Sequence, residues 1–245
     1  MRKYISTRVR KIWAAVALLS IELLVVLLLF ILSLFGFAFL VNRVFRVKET
    51  KFDQKAFDLV GQFVNEGNTA FMKGITFLGT HLFLIPANLA LIGYFLFIKK
   101  HRWYSIKVPV VAIGSVTLML LLKLFFSRIR PSSPLLAEVK GFSFPSGHAM
   151  SSMTFYGLLI FLAFKYVPRP MWKFVLIFAL STLIFIIGLS RIYLRVHYAT
   201  DVLAGFAMGI IWLVISLWAT RRIEKMVQKN RTVKEVVEVP PDKAH

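Results

Sequence analysis

Apolar stretches without charge recur along this chain at lengths close to the thickness of a bilayer. Leu23 to Asn42 carries no charged residue, and Gly74 to Ile98 carries only His81. Val108 to Leu122, Phe174 to Ser190 and Val202 to Thr220 are uncharged, and Gly141 to Phe164 contains only His148. A helix needs about 20 apolar residues to cross the hydrocarbon. The pattern therefore predicts six spanning helices, at about 12–41, 74–98, 107–126, 146–166, 172–190 and 198–220. A spanning barrel would need short strands of alternating polarity, and these runs do not alternate. The expected fold is all-α and polytopic. Residues 1–220 are read as one membrane domain and 221–245 as a basic tail that starts helical and frays into disorder, ending in Pro240–Pro241.

One segment has a different period. Phe52, Ala56, Leu59, Val60, Phe63 and Val64 recur at helical spacing, while Asp53, Gln54, Lys55, Asp58, Gln62, Asn65 and Glu66 take the other faces. Such a helix is too polar to span, so an amphipathic helix is expected in the interface between the first two spans. It is read first as a cap on the bundle and second as a wall for lipid entry.

Composition changes the picture in two ways. The net charge of +20 invites a nucleic-acid reading, but 19 of the 31 Lys and Arg fall at the ends that a six-span layout places on one side. That asymmetry fits cytoplasmic termini and attraction to anionic lipid, and argues against nucleic acid. The chain has no cysteine, which excludes disulfides, thiol nucleophiles and Cys-bound metals. Expected placement is the plasma membrane, with the amphipathic helix extracytoplasmic.

The candidate chemistry lies in three fragments, all at the extracytoplasmic side of that layout: Lys123 to Pro131, Pro145–Ser146–Gly147–His148, and Ser190 to Asp201. Charged groups held at the ends of apolar helices mark functional sites. Lys123, Arg130 and Arg191 supply three cations for a phosphate, and arginine forks suit its oxygens. Ser146 and Gly147 open the fourth span, where free N–H groups and the helix dipole favour an anion. His197 and Asp201 stand four apart, so one helical face would let Asp201 orient the imidazole and leave its other nitrogen free to attack phosphorus. His148 would protonate the leaving oxygen. Fixed cations would carry the charge, so neither metal nor cofactor is expected. Arg128 and Arg195 are read as interface anchors, His81 as an interhelical hydrogen-bonder, Phe142 and Phe144 as a lipid-facing wall, and Trp13, Trp103, Tyr104 and Trp172 as belt residues. Glu22 is read as reaching headgroups or the basic N-terminal segment.

The pattern Lys-x₆-Arg-Pro, Pro-Ser-Gly-His, Ser-Arg-x₅-His-x₃-Asp resembles the signature of the type 2 phosphatidic acid phosphatase superfamily, matching at eleven positions between 123 and 201. The resemblance implies a transient phosphohistidine at His197, oriented by Asp201, with His148 as the acid. It implies phosphate binding by Lys123, Arg130, Ser146, Gly147 and Arg191. The substrate expected is a phosphorylated membrane lipid: undecaprenyl pyrophosphate, phosphatidylglycerophosphate or phosphatidic acid. A vanadate-using haloperoxidase-like enzyme is disfavoured because such relatives are mostly larger soluble proteins. A non-enzymatic lipid-binding or transport protein is the alternative of another class; it gives no reason to keep His148, His197 and Asp201 together.

Overall fold

The computed structural model describes residues 2–136 and 141–237, and the side chains of residues 21–136 and 141–230. Trp13, His245 and Pro240–Pro241 lie outside those side chains. Eight α-helices follow in order among the described residues: α1 Arg2–Val41, α2 Lys51–Gly61, α3 Glu66–Phe77, α4 His81–Gly93, α5 Arg102–Phe126, α6 Gly147–Tyr166, α7 Pro170–Tyr193 and α8 Ala199–Val237. Six segments are long and apolar enough to cross a membrane, with α3 and α4 together making the second. Leu23, Phe35, Leu89, Phe125 and Phe178 are among the many large apolar side chains left exposed on them. In water that would be untenable, but it suits helices whose outer faces meet lipid.

Local sequence sets several boundaries. Asn65 caps α3, its side chain accepting a hydrogen bond from the Asn68 N–H at 2.8 Å. Pro170 opens α7, where its missing N–H costs nothing. Ser127 ends α5 in the left-handed region, φ 44°, and its N–H closes the last turn on the Lys123 carbonyl. The charged tail expected from 221 is continuous with the sixth span, since α8 runs unbroken through that position.

The second span differs from expectation. It starts at Glu66 rather than near 74, and it is broken at 78–80. The break is held by its neighbours: Tyr156 Oη donates to the Leu78 carbonyl at 2.9 Å. A Cβ at Gly79 would lie 2.8 Å from Ile187 and 3.2 Å from the His148 ring. His81 consequently stands exposed at the start of α4, with no hydrogen bond among the described residues, and is not the interhelical partner expected.

Helix α6 is the axis of the bundle, packed chiefly against α8 and α7. Small residues make the closest approach. A Cβ at Gly205 of α8 would lie 2.7 Å from the Ser146 carbonyl, and one at Gly209 would lie 2.7 Å from Met153. Tyr104 is not a belt residue: it is 1% exposed and stacks on Phe95 at 4.9 Å. Phe144 likewise faces no lipid. It is fully buried, ringed by Phe37, Phe45 and Phe126.

Candidate active site

The three fragments converge at one end of the bundle. Lys123 on the last turn of α5 lies in electrostatic range of Arg130, Asp201 and Arg191, and His148 in range of Arg191, His197 and Arg130. Lys123 and Arg130 share the 141–142 segment, and Arg191 is held elsewhere. Lys123 Nζ donates to the Phe142 carbonyl at 2.5 Å. Arg130 Nε donates to the Gly141 carbonyl at 2.9 Å, and its Nη1 to the Val196 carbonyl at 2.8 Å. Arg191, 3% exposed, reaches the break in the second span, donating to Thr76 Oγ1 at 2.6 Å.

Two polar groups here are buried without a partner: Arg191 Nε and Ser146 Oγ. Ser146 stands at the N-cap of α6 yet makes no side-chain capping bond. A side chain at Gly147 would touch only the Met119 thioether, at an ordinary 3.5 Å, so packing does not demand glycine there. His148 sits in the first turn of α6, half-buried, with no hydrogen bond among the described residues. Buried donors without acceptors are costly, and an anion would satisfy them. Among the described residues no group of three or more His, Asp or Glu is placed to hold a metal ion.

His197 and Asp201 meet, but not along a helical face. His197 precedes α8, and Asp201 is in its first turn. The carboxylate reaches back to accept the Tyr198 N–H at 3.0 Å, the return half of a capping box. That capping bond holds it near the ring, with Nδ1 3.5 Å from Asp201 Oδ2. Ser143 stands between them. Its hydroxyl donates to Asp201 Oδ2 at 2.5 Å and lies 3.3 Å from His197 Nδ1. On the other side, Arg130 Nη1 is 3.2 Å from Nε2. A guanidinium can only donate, so Nε2 is the acceptor and the proton resides on Nδ1. The order is then Nδ1–H to Ser143 hydroxyl to Asp201 carboxylate. Burial pulls the His197 imidazole down from its usual range to about 4, against the hydrogen bond and charge of Asp201; Arg130 and Arg191 add to the fall. The ring is neutral at physiological pH, with its Nε2 lone pair directed at the cations. Burial also lowers Arg130, with Asp201 opposing.

Residues 104–225 match the PAP2 superfamily. A phosphatidylglycerophosphatase B of Bacillus subtilis (strain 168) is 33% identical over 160 residues, 64% of this chain and 78% of that protein. The chain belongs to the PAP2 superfamily. An undecaprenyl-diphosphatase of Sulfolobus acidocaldarius is 31% identical over 105 residues, 42% of this chain and 47% of the other. Among solved structures, the first transmembrane PAP2 type phosphatidylglycerolphosphate phosphatase from Bacillus subtilis matches with a TM-score of 0.72 at 25% identity, over 79% of this chain and 96% of that one. Aquifex aeolicus LpxE matches with a TM-score of 0.51 at 28% identity, over 67% and 93%. This PAP2 protein is a multi-pass membrane phosphatase, a hydrolase of phosphoric esters.

The PAP2 site holds residues that sequence reasoning missed. Arg128 is no interface anchor: its Nη1 donates to Asp201 Oδ1 at 2.5 Å and to Thr200 Oγ1 at 2.8 Å, and its Nη2 to Asp53 at 2.9 Å. Asp53 was expected on a polar outer face of α2, yet it is 3% exposed and faces the bundle. The exposed surface of α2 is mixed, with Phe52 and Leu59 standing beside Lys51, Gln54, Lys55 and Asp58, while Val60 is buried. Ser143 and Thr76 carry no charge and fall outside the eleven-position pattern. Only the proximity of Ser143 to the Pro-Ser-Gly-His fragment was a signal.

Proposed function

We propose that this chain hydrolyses the phosphate monoester or pyrophosphate of a membrane lipid through a phosphohistidine at His197. The observation that carries the reading is a buried, neutral imidazole whose Nε2 looks into a cluster of three cations, with Arg191 Nε and Ser146 Oγ unpartnered beside it. In the first step Nε2 attacks phosphorus, and the bond from phosphorus to the lipid oxygen breaks. His148 gives that oxygen its proton. In the second step water attacks phosphorus, His148 takes back a proton from the water, the P–N bond breaks, and inorganic phosphate leaves. Lys123, Arg130, Arg191, Ser146 and the backbone N–H groups at Gly147 hold the three equatorial oxygens, where the transition-state charge is spread. Arg130 Nη1 is released from Nε2 to the incoming phosphate. The imidazole, phosphorylated at Nε2 and still protonated at Nδ1, is stabilised through Ser143 by Asp201.

The relatives named for phosphatidylglycerophosphate and undecaprenyl diphosphate make these two lipids the leading substrates, ahead of phosphatidic acid. The strongly basic helix ends lie at the opposite end from the site, which supports a site open to the cell exterior or periplasm. Purified protein in detergent is expected to release phosphate from at least one of the three lipids with chelator present. No release from any of them, or release that chelation abolishes, would contradict the proposal.

Arg191→Lys tests the phosphate cradle. A lysine keeps donors but concentrates them on one nitrogen, so it loses the planar fork that reaches Thr76 with one arm and leaves Nε for the anion. The expected loss is about 10²-fold in kcat/KM, the scale of one missing oxyanion donor. Wild-type kinetics in the lysine variant would reduce Arg191 to a structural partner of Thr76.

A further inference from the structure

Helix α2 delivers a second buried carboxylate to the group behind His197. Asp53 Oδ1 accepts the Thr200 N–H at 2.9 Å. Its Oδ2 accepts both the Thr200 hydroxyl and Arg128 Nη2, each at 2.9 Å. The other arm of the same guanidinium holds Asp201, and its plane lies 4.0 Å from the Tyr198 ring centroid. One arginine thus bridges two carboxylates that are almost wholly removed from solvent, at 3% and 0% side-chain exposure, and is itself only 14% exposed.

The charges do not cancel. Asp53, Arg128 and Asp201 sum to one net negative charge. With Asp201 alone, Arg128 would neutralise the carboxylate that reaches His197 through Ser143. Asp53 takes half of the guanidinium, so the field behind the imidazole stays negative. Attack by Nε2 leaves positive charge on the ring, which that field stabilises. We propose that Asp53 is a positioning residue for the reaction: by sharing Arg128 with Asp201, it preserves the negative charge that supports His197 as nucleophile. This inference rests on His197 being the nucleophile.

The test uses the full chain in detergent and reads His197 directly. Protein labelled with ¹⁵N-histidine carries five histidines, and the His197 signals are those lost in His197→Ala. The titration of His197 is followed across the acidic range in wild type, Asp53→Asn, Arg128→Gln, the double variant and Arg128→Lys. The other groups that face His197 are the same in all of them: Asp201 on α8, Arg191 on α7, Arg130 in the loop after α5 and His148 on α6, with Lys123 on α5 facing Asp201. Asp53→Asn is expected to move the titration to lower pH by about half a unit or more, since Arg128 then belongs to Asp201. Arg128→Gln is expected to move it to higher pH, the double variant to return it close to wild type, and Arg128→Lys to leave it near wild type. With a phosphorylated lipid in micelles, Asp53→Asn should lower kcat about tenfold, as loss of an outer partner does at other sites, with KM within about twofold.

A titration unmoved in Asp53→Asn, or moved in the same direction by both single charge removals, would overturn the charge sharing and leave Asp53 as a mere clasp for α2. A wild type that releases no phosphate sinks the phosphatase reading, whereas the titration decides the charge sharing independently.

Discussion

His197→Ala should lose phosphate release by about 10⁴-fold or more, the scale at which removing a nucleophile or its base disables an enzyme built this way. The expectation is specific because the site offers no substitute. His148 stands across the cation cluster and has no carboxylate behind it among the described residues. Nε2 of His197 faces Arg130 and, through Nδ1, is backed by Ser143 and Asp201. The imidazole is buried among groups held by backbone carbonyls, so its removal leaves a small cavity and is expected to leave the bundle intact. A rapid alkaline quench with lipid labelled in its terminal phosphate should trap an acid-labile label on wild-type protein and none on the alanine variant. Label on both proteins, or turnover in the variant near the wild-type value, would rule out a phosphohistidine at this position.

Asp201→Asn carries the second largest expected effect, about 10³–10⁴-fold in kcat with a much smaller change in KM. The carboxylate accepts at Oδ2 from Ser143 and the Tyr198 N–H, and at Oδ1 from Arg128. An amide nitrogen on the Oδ2 side would donate to Ser143 and reverse its hydroxyl, leaving Nδ1–H without an acceptor. An amide nitrogen on the Oδ1 side would confront Arg128 instead. Either arrangement disturbs the tautomer that leaves Nε2 free. The fold should survive, because Arg128 keeps Asp53 as its counterion. The measurement is steady-state kinetics on protein whose thermal unfolding matches wild type. A kcat within about threefold of wild type would mean that Asp201 serves as a cap for α8 and little else.

These two effects rest on residues that the sequence exposed plainly, and the reason is chemical. Lys123, Arg130, His148, Arg191, His197 and Asp201 are charged or titratable groups set in hydrocarbon, where each stands out against its neighbours. Six crossings were readable for the same reason, since long uncharged runs report the solvent rather than any detail of packing. The break at 78–80 was not readable, because Leu78–Gly79–Thr80 lies inside one such run and changes its hydropathy very little. It is made by partners distant in sequence: Tyr156 on its carbonyl, and Ile187 and His148 against Gly79. Arg128 was hidden by position. An arginine beside a span end ordinarily reaches for headgroups, and only the fold brings Asp53 and Asp201 to it. Asp53 was misplaced because an amphipathic pattern assigns polar residues to the water side, whereas α2 turns Asp53 inward and leaves the apolar Phe52 and Leu59 exposed. Phe144 was misplaced for the mirror reason, since aromatics beside a span start fill a core as readily as they face lipid.

The tight seam between α6 and α8 restricts how the molecule can breathe. The Ser146 N–H is bonded to the Asp201 carbonyl at 2.9 Å, and a few residues on Gly205 leaves room for nothing larger than hydrogen against the Ser146 carbonyl. The fragment bearing His148 and the fragment bearing Asp201 therefore travel as one jaw. Any widening that admits a bulky headgroup is expected to come from elements outside this seam, with His148 and Asp201 keeping their spacing.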